Sequence, residues 1–317
     1  MIYVFLLIGF YILIKGADAF VDGASSIARR FNIPPIIIGL TIVAFGTSAP
    51  EAAVSVTAAL SGKNDIAIGN VVGSNIFNLL LVIGVSSFLL PIKVKRNTML
   101  KEFPFALLAS IVLIILSHDV KFQDYPFNSL TRADGLVLLS LFGIFMYYLI
   151  ELALTSNDEM DVTEGNPSAP LSRAILMSLI GVICVVIGGQ IVVDNATEIA
   201  LNLGMSENLT GLTIVSIGTS LPELVTSISA AKKGESDIAI GNVIGSNLFN
   251  ILFVLGLSSV IHPISVQSIV FIDMLIMLIV TLIVYLFSLS KKTISKAEGS
   301  ILTILYVLYM IYIIIRQ

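Results

Sequence analysis

Glu51 and Glu223 close two nearly identical hexapeptides, GTSAPE at Gly46–Glu51 and GTSLPE at Gly218–Glu223, each inside a long apolar stretch. A carboxylate at the middle of a bilayer costs at least roughly 2.5–3.5 kcal/mol on insertion scales, so each is a functional candidate. The residues before it prepare a break in the helix. Pro50 has no N–H and crowds the preceding turn, which deprives the Gly46 carbonyl of its partner. Ala49 is pushed away from helical geometry, and Gly46 adds backbone freedom. The span is therefore expected to break here and to leave carbonyls free near Ala44–Thr47. Irregular backbone at membrane depth persists only where something polar satisfies it, and a dehydrated cation would do so. Thr47 and Ser48 stand one turn from Glu51. The second copy repeats every part with Gly218, Thr219, Ser220, Pro222 and Glu223.

A second motif follows each glutamate, GNVVGSNIFN at Gly69–Asn78 and GNVIGSNLFN at Gly241–Asn250. Ser74 and Asn78 are four apart and share a helix face, as do Ser246 and Asn250. Gly73 and Gly245 permit close helix approach. Together the two copies offer carboxylates, hydroxyls, amide oxygens and carbonyls, with no His, Cys or Met in the motifs. Such hard oxygen donors select Na+, Ca2+ or Mg2+ over zinc or copper. Ca2+ accepts six to eight oxygens in flexible geometry, whereas Mg2+ keeps its waters and suits a dry helical cage less well. Two carboxylates balance one Ca2+. The residues by themselves point to a Ca2+ or Na+ transporter.

The elements that must hold these residues are legible in the composition. Of 317 residues, 56% are hydrophobic and 12% charged, and the mean hydropathy is +1.01. Apolar runs of about twenty residues, the length that crosses hydrocarbon, recur from end to end. One extends from Ala174 to Val193 without a charge. None alternates as a barrel strand would, so the expectation is an all-α membrane protein. Ten spans are expected, near 2–28, 34–61, 66–92, 99–117, 133–153, 172–201, 207–231, 238–261, 268–289 and 298–315. The apolar N-terminus, without a basic leader, reads as the first span rather than a cleaved signal.

The segment Gly39–Ile92 aligns without a gap to Gly211–Ile264, at a constant offset of 172 and with 33 of 54 positions identical. Weaker similarity reaches back to VDGASSIA at Val21 and VDNATEIA at Val193. Each half holds five spans. An odd number inserts the second copy upside down, so the fold expected is ten transmembrane helices in two inverted five-helix repeats, with the site near the midplane. The divisions are 1–153 for the first half, an acidic linker at 154–170 with Asp158, Glu159, Asp161 and Glu164, and 171–317 for the second half. With the N-terminus outside, about twelve lysines and arginines face the cytoplasm and four face outward. That bias places both termini outside the cell membrane.

Other classes fit less well. No basic patch suggests nucleic acid. Cys184 alone allows neither an internal disulfide nor a cysteine metal site. Ser48 and Ser220 have no nearby His base and no nucleophile-elbow pattern, against an intramembrane enzyme. A channel builds its pore from rings around an axis, whereas the acids here form one pair. The nearest rival is a proton-coupled antiporter of Ca2+ or another cation, with Glu51 and Glu223 as proton carriers. Nothing in the motifs asks for a cofactor, and the partner implied is the lipid bilayer, with no obligatory protein.

The paired motifs GTS-x-PE and GN-x-x-GSN-x-x-N resemble the α-repeats of the sodium/calcium exchanger family, within the cation/calcium exchanger superfamily. The resemblance covers nearly the whole chain. The GNA-x-E type motif of proton/calcium exchangers is absent, as is the large regulatory domain of animal exchangers, so the chain looks like a prokaryotic member. The resemblance implies exchange of three Na+ for one Ca2+ at four central sites. It places ion ligands on Thr47, Ser48, Glu51, Ser74 and Asn78, and on Thr219, Ser220, Glu223 and Ser246. The backbone carbonyls of Ala44 and Ser216 join them. The two glutamates with the Thr47 and Thr219 carbonyls would hold Ca2+, and the serines would form the flanking Na+ sites. Asn250 departs from the pattern, because many members have aspartate there. Its neutral amide argues against the potassium-dependent subgroup and suits a water or the support of the two glutamates.

Two ionised carboxylates close together and unpaired in a dry site repel. The empty protein should therefore resist crossing between states, and bound Ca2+ or several Na+ should permit the switch. The first and sixth spans carry no motif and are expected to slide against the central bundle, packed closely through Gly16–Ala19 and Gly188–Gly189. Lys15 is expected to snorkel or to pair with Asp18, and Asp22 and Asp194 to lie at helix ends. Glu102 and Asp273, near span starts, suit the helix dipole.

Overall fold

The computed structural model describes residues 2–122, 124, 126–155, 170–204 and 216–316. Eight helices there are long and apolar enough to cross a membrane: α1 (Ile2–Arg30), α4 (Asn64–Leu89), α5 (Thr98–Leu116), α6 (Arg132–Thr155), α7 (Leu171–Asn202), α10 (Ser236–Ile261), α11 (Ser268–Lys291) and α12 (Lys296–Arg316). A further pair, α2 (Pro35–Thr47) and α3 (Ala49–Leu60), meets at a 52° bend. The short α8 (Ser216–Thr219) and α9 (Leu221–Lys232) repeat that pair's last part. The rest of the expected seventh span and residues 156–169 of the acidic linker lie outside the described residues.

Burial sorts the helices into a centre and a rim. α10 is buried nearly along its whole length and α4 along most of it, whereas α6 and α12 expose most of theirs. The rim helices carry apolar side chains outward, such as Tyr3, Leu7 and Tyr11 on α1 and Leu176, Ile183 and Ile187 on α7. Apolar surface of that extent suits lipid. α1 buries the opposite stripe, Leu13, Gly16, Ala17, Phe20, Val21 and Ala24, at the three-to-four spacing of one helix face.

That stripe packs along α7, as the small residues predict. A Cβ on Gly16 would stand 2.7 Å from the Cβ of Cys184, and one on Gly188 would stand 2.6 Å from the Leu13 backbone nitrogen. The helices touch backbone to backbone, and a side chain at either position would push them apart. Lys15 is exposed. Asp18 does not pair with it: the carboxylate accepts from Ser229 Oγ at 2.6 Å, and Lys233 Nζ lies 4.0 Å away. Asp22 and Asp194 stand eight residues before the ends of α1 and α7, not at their ends.

Two short antiparallel ribbons tie the halves together. β1 (Ile92–Lys93) pairs with β4 (Thr293–Ile294), and β2 (Ser129–Leu130) pairs with β3 (Ile264–Ser265). Ile92 and Ile264 are equivalent positions of the sequence repeat, so the two ribbons use the repeat in the same way. Glu102 is fully buried and accepts from Tyr148 Oη, while Asp273 accepts from both terminal guanidinium nitrogens of Arg316 at 2.9 Å. These carboxylates join neighbouring helices, α5 to α6 and α11 to α12.

Candidate ion site

The break that the prolines were expected to make is present, shifted toward the N-terminus. Ala49 and Pro50 form the first turn of α3, where a missing N–H costs nothing. The non-helical residue is Ser48, with φ −84° and ψ 7°. Ser220 repeats it with φ −94° and ψ 5°, ahead of Leu221 and Pro222 in α9. The expectation of a free carbonyl at Ala44 is not met, because that oxygen accepts from Ser48 N at 2.9 Å and from Thr47 Oγ1 at 3.2 Å. The proline starts a new helix after Ser48, and the turn before Ser48 closes on itself.

Placing the serine at the break turns its hydroxyl across the molecule. Ser48 Oγ donates to Glu223 Oε1 at 2.8 Å, and Ser220 Oγ donates to Glu51 Oε1 at 3.0 Å. The two copies therefore hold each other's glutamate. Ser74 joins them, 2.6 Å from Ser220 Oγ and 3.3 Å from Glu51 Oε1. Ser48, Glu51, Ser220 and Glu223 are fully buried, and Ser74 nearly so. Neither Glu51 Oε2 nor Glu223 Oε2 has a hydrogen-bond partner among the described residues. An unpartnered carboxylate oxygen buried in each copy is the feature that asks for a cation.

Asn78 opens a π-helical stretch of α4, Asn78–Val82, and Asn250 is the second residue of one in α10, Phe249–Leu255. Such widened turns are frequent at functional sites. Asn78 Oδ1 and both amide atoms of Asn250 are buried without partners among the described residues. Ser246 Oγ lies beside the Glu223 carboxyl without good hydrogen-bond geometry. Thr219 ends α8 in the position that Thr47 holds in α2. The Ser216 backbone begins α8. The structure thus links Ser48, Glu51, Ser74, Ser220 and Glu223 directly; of the remaining expected residues, Ala44 and Thr47 lie on α2, Asn78 on α4, Ser216 and Thr219 on α8, and Ser246 and Asn250 on α10.

Six polar residues of this region were not singled out in the sequence. Asn70 Nδ2 donates to Ser55 Oγ at 3.0 Å and to the Glu51 carbonyl at 3.3 Å. Asn242 Nδ2 donates to Ser227 Oγ at 2.8 Å and to the Glu223 carbonyl at 3.3 Å. Thr47 Oγ1 donates to Asn242 Oδ1 at 3.0 Å. These pairs brace the backbone that carries each glutamate. Asn75 and Asn247 face each other between α4 and α10. All six stand at the 172 offset, which was the available signal. They were overlooked because a buried amide alone reads as packing glue.

A family model described as sodium/calcium exchanger protein matches residues 1–151 and 173–315. The chain is 43% identical to a putative antiporter, CaxA, of Alkalimonas amylolytica, over 94% of each protein. It is 33% identical to the sodium/calcium exchanger MaX1 of Methanosarcina acetivorans, over 95% of each. Among solved structures it is similar to the sodium-calcium exchanger NCX_Mj soaked with Na+ and Sr2+. The TM-score is 0.84 at 34% identity, covering 98% of this chain and 99% of that one.

Proposed function

The chain belongs to the sodium/calcium exchanger family, and on that premise we propose that it exchanges three Na+ for one Ca2+ by alternating access. A multi-pass membrane transporter of this family needs a site that two kinds of cation can neutralise. The observation that carries the reading is the crossed pair Ser48–Glu223 and Ser220–Glu51, each glutamate with one oxygen left unpartnered. Ca2+ would lie between the two carboxylates, with the Thr47 and Thr219 carbonyls. Na+ would take flanking places offered by Ser48, Ser74, Ser220 and Ser246, by Asn78, and by the carbonyls of Ala44 and Ser216. The Ala44 carbonyl accepts from Ser48 N, and its second lone pair faces Thr47 Oγ1, whose single proton is shared with Asn242 Oδ1, so an ion there would leave that proton to Asn242. Asn250 would complete the cage as a neutral amide.

The proposed frame is ten spans in two inverted halves, 1–153 and 171–317, joined by the acidic linker. Both termini would face outside the cell membrane. In its support, the described contacts join segments that this topology puts on one side. Arg29 meets Glu235, Lys95 meets Asp237, Gln267 meets Asp65 and Asn64 meets Ser265. The mechanism follows from charge. Two bare carboxylates in a dry site resist the passage between states, and neutralisation by Ca2+ or by Na+ removes that resistance. Exchange rather than leak is the consequence.

The test is Ca2+ uptake into Na+-loaded proteoliposomes diluted into Na+-free medium, beside Glu51→Gln and Glu223→Gln. Uptake that needs the Na+ gradient, survives a proton ionophore and vanishes in both variants is expected. Uptake driven as well by a pH gradient without Na+ would make the protein a proton-coupled antiporter.

A further inference from the structure

We propose that Asn247 is a positioning residue which fixes the amide of Asn78 with its oxygen toward the ions, and that its repeat counterpart Asn75 has no such role. The argument rests on the reading of Asn78 as an ion ligand and follows a chain of hydrogen bonds. The Asn75 carbonyl can only accept, and Asn247 Nδ2 donates to it at 3.3 Å. That bond fixes which end of the Asn247 amide is which. Its Oδ1 is then presented to Asn78, whose Nδ2 donates to it at 3.1 Å. The Asn78 oxygen must point the other way, and it is buried without a partner among the described residues. A cation tolerates the oxygen of an amide and is repelled by its NH2 group.

The mirror chain begins in the same way and stops. Asn75 Nδ2 donates to the Asn247 carbonyl at 3.4 Å, but among the described residues Asn75 Oδ1 is without a partner, and so are both atoms of the Asn250 amide. Asn75 Nδ2 also approaches the Met277 sulfur at 3.6 Å, beside a cavity of about 10 Å3 lined by Ser110, Thr281 and Asn247 among others. Space of that size at the pair is on the order of one water. The sequence repeat is symmetric at these four asparagines, and the hydrogen bonding is not. Asn78 is an oriented ligand, while Asn250 is free to offer either end of its amide.

The experiment is the Ca2+ concentration dependence of Na+-driven uptake for wild type, Asn247→Ala, Asn75→Ala, Asn78→Ala and the double variant Asn78→Ala/Asn247→Ala. Both Asn247→Ala and Asn75→Ala lose one bond of the reciprocal pair, so a merely structural role moves them alike. Expected is a rise in KM of about fivefold for Asn247→Ala, the worth of one buried hydrogen bond, a change below about twofold for Asn75→Ala, and no further rise when Asn247→Ala is added to Asn78→Ala. An equal rise in both single variants, a fall in maximal rate at constant KM, or an additive rise in the double variant would overturn the proposal. If Asn247→Ala yields no folded protein, Asn247→Asp takes its place. It keeps the acceptor for Asn78, and a KM raised as much as for Asn78→Ala would then count against it. A KM raised by Asn78→Ala in a protein whose Na+-driven uptake is lost in Glu51→Gln supports Asn78 as a ligand, so a failure of Asn247→Ala beside it is separate from a failure of that reading.

Discussion

At the scale of single residues, the site is two carboxylates, each held through one oxygen by a serine of the other repeat copy. Removing one such hydroxyl leaves the glutamate in place and loses one charge-assisted hydrogen bond, worth roughly 1.5–3 kcal/mol. Ser48→Ala and Ser220→Ala are each expected to raise the KM for Ca2+ or Na+ by tenfold or more, without the complete loss expected of Glu51→Gln. Uptake titrated separately in each ion checks this. Protons compete with Ca2+ for the same carboxylates. Lowering the pH should therefore raise the KM for Ca2+ and leave the maximal rate at saturating Ca2+ less affected. In Asn250→Asp a third acid would leave one negative charge beside bound Ca2+, and a proton would restore neutrality. That variant should carry Ca2+ better toward acid pH, opposite to the wild type, which a pH profile of uptake decides. The glutamates, serines, Asn78 and Asn250 stand out in the sequence as candidates because they repeat at one offset and include a charge that lipid penalises, and the structure buries them. The bracing amides Asn70 and Asn242 repeat just as faithfully. They carry no charge, so nothing in the sequence tells a proposed ligand from a brace.

At the scale of elements, the proline-broken spans could be read in advance, while the break itself lies at Ser48 and Ser220 and not at the residues before proline. Proline is at ease in a first helical turn, so the strain passes to the residue that caps that turn. This shift is what turns the serine hydroxyls into the cross-links of the site. The π-helical turns at Asn78 and Phe249–Leu255 had no sequence signal, since a widened turn depends on packing around it. The small-residue faces of α1 and α7 were legible and do pack closely. Their intimacy bears on the proposed sliding of the first and sixth spans. Backbones in contact at Gly16 and Gly188 favour motion of α1 and α7 as one body past the central helices. Gly16→Cys would set a new thiol beside Cys184, the single native cysteine. The built Cβ separation of 2.7 Å needs to open by about 1 Å to accept a disulfide. Oxidation of that variant is expected to cross-link α1 to α7 and to leave Na+-driven Ca2+ uptake intact. Uptake lost on oxidation and restored by reductant would mean that the two helices slide against each other.

At the scale of the whole molecule, the duplication was legible and the departures from it were not, because they are made by long side chains that meet across the fold. Perfect inversion would give the two faces equivalent gates of equal stability. The described ion pairs break that equivalence. Lys233, in the turn between α9 and α10, reaches Asp22 at 2.7 Å and the Asp18 carbonyl at 2.6 Å, and Arg29 pairs with Glu235. All of them tie the end of α1 to one turn of the second half. The equivalent positions in the other half are Gln190 and Asp194 on α7, with Ser61 and Lys63 between α3 and α4. There Gln190 Nε2 donates to Asp194 at 2.7 Å, and no ion pair joins the two elements among the described residues. In the proposed topology the tied end is cytoplasmic, so the tie favours the state closed on that side. These groups are partly exposed, so each pair is worth about 0–1 kcal/mol, enough to bias a two-state equilibrium up to about fivefold. Lys233→Ser copies the other half at this position and should remove the share of that bias carried by Lys233, leaving Arg29–Glu235 in place. The ratio of the KM values for Ca2+ at the two faces, from right-side-out and inside-out vesicles, is expected to shift by up to about fivefold and to do so less at high salt. A ratio unchanged in Lys233→Ser at low salt would mean that the tie holds α1 equally in both states and that the asymmetry of the faces arises elsewhere.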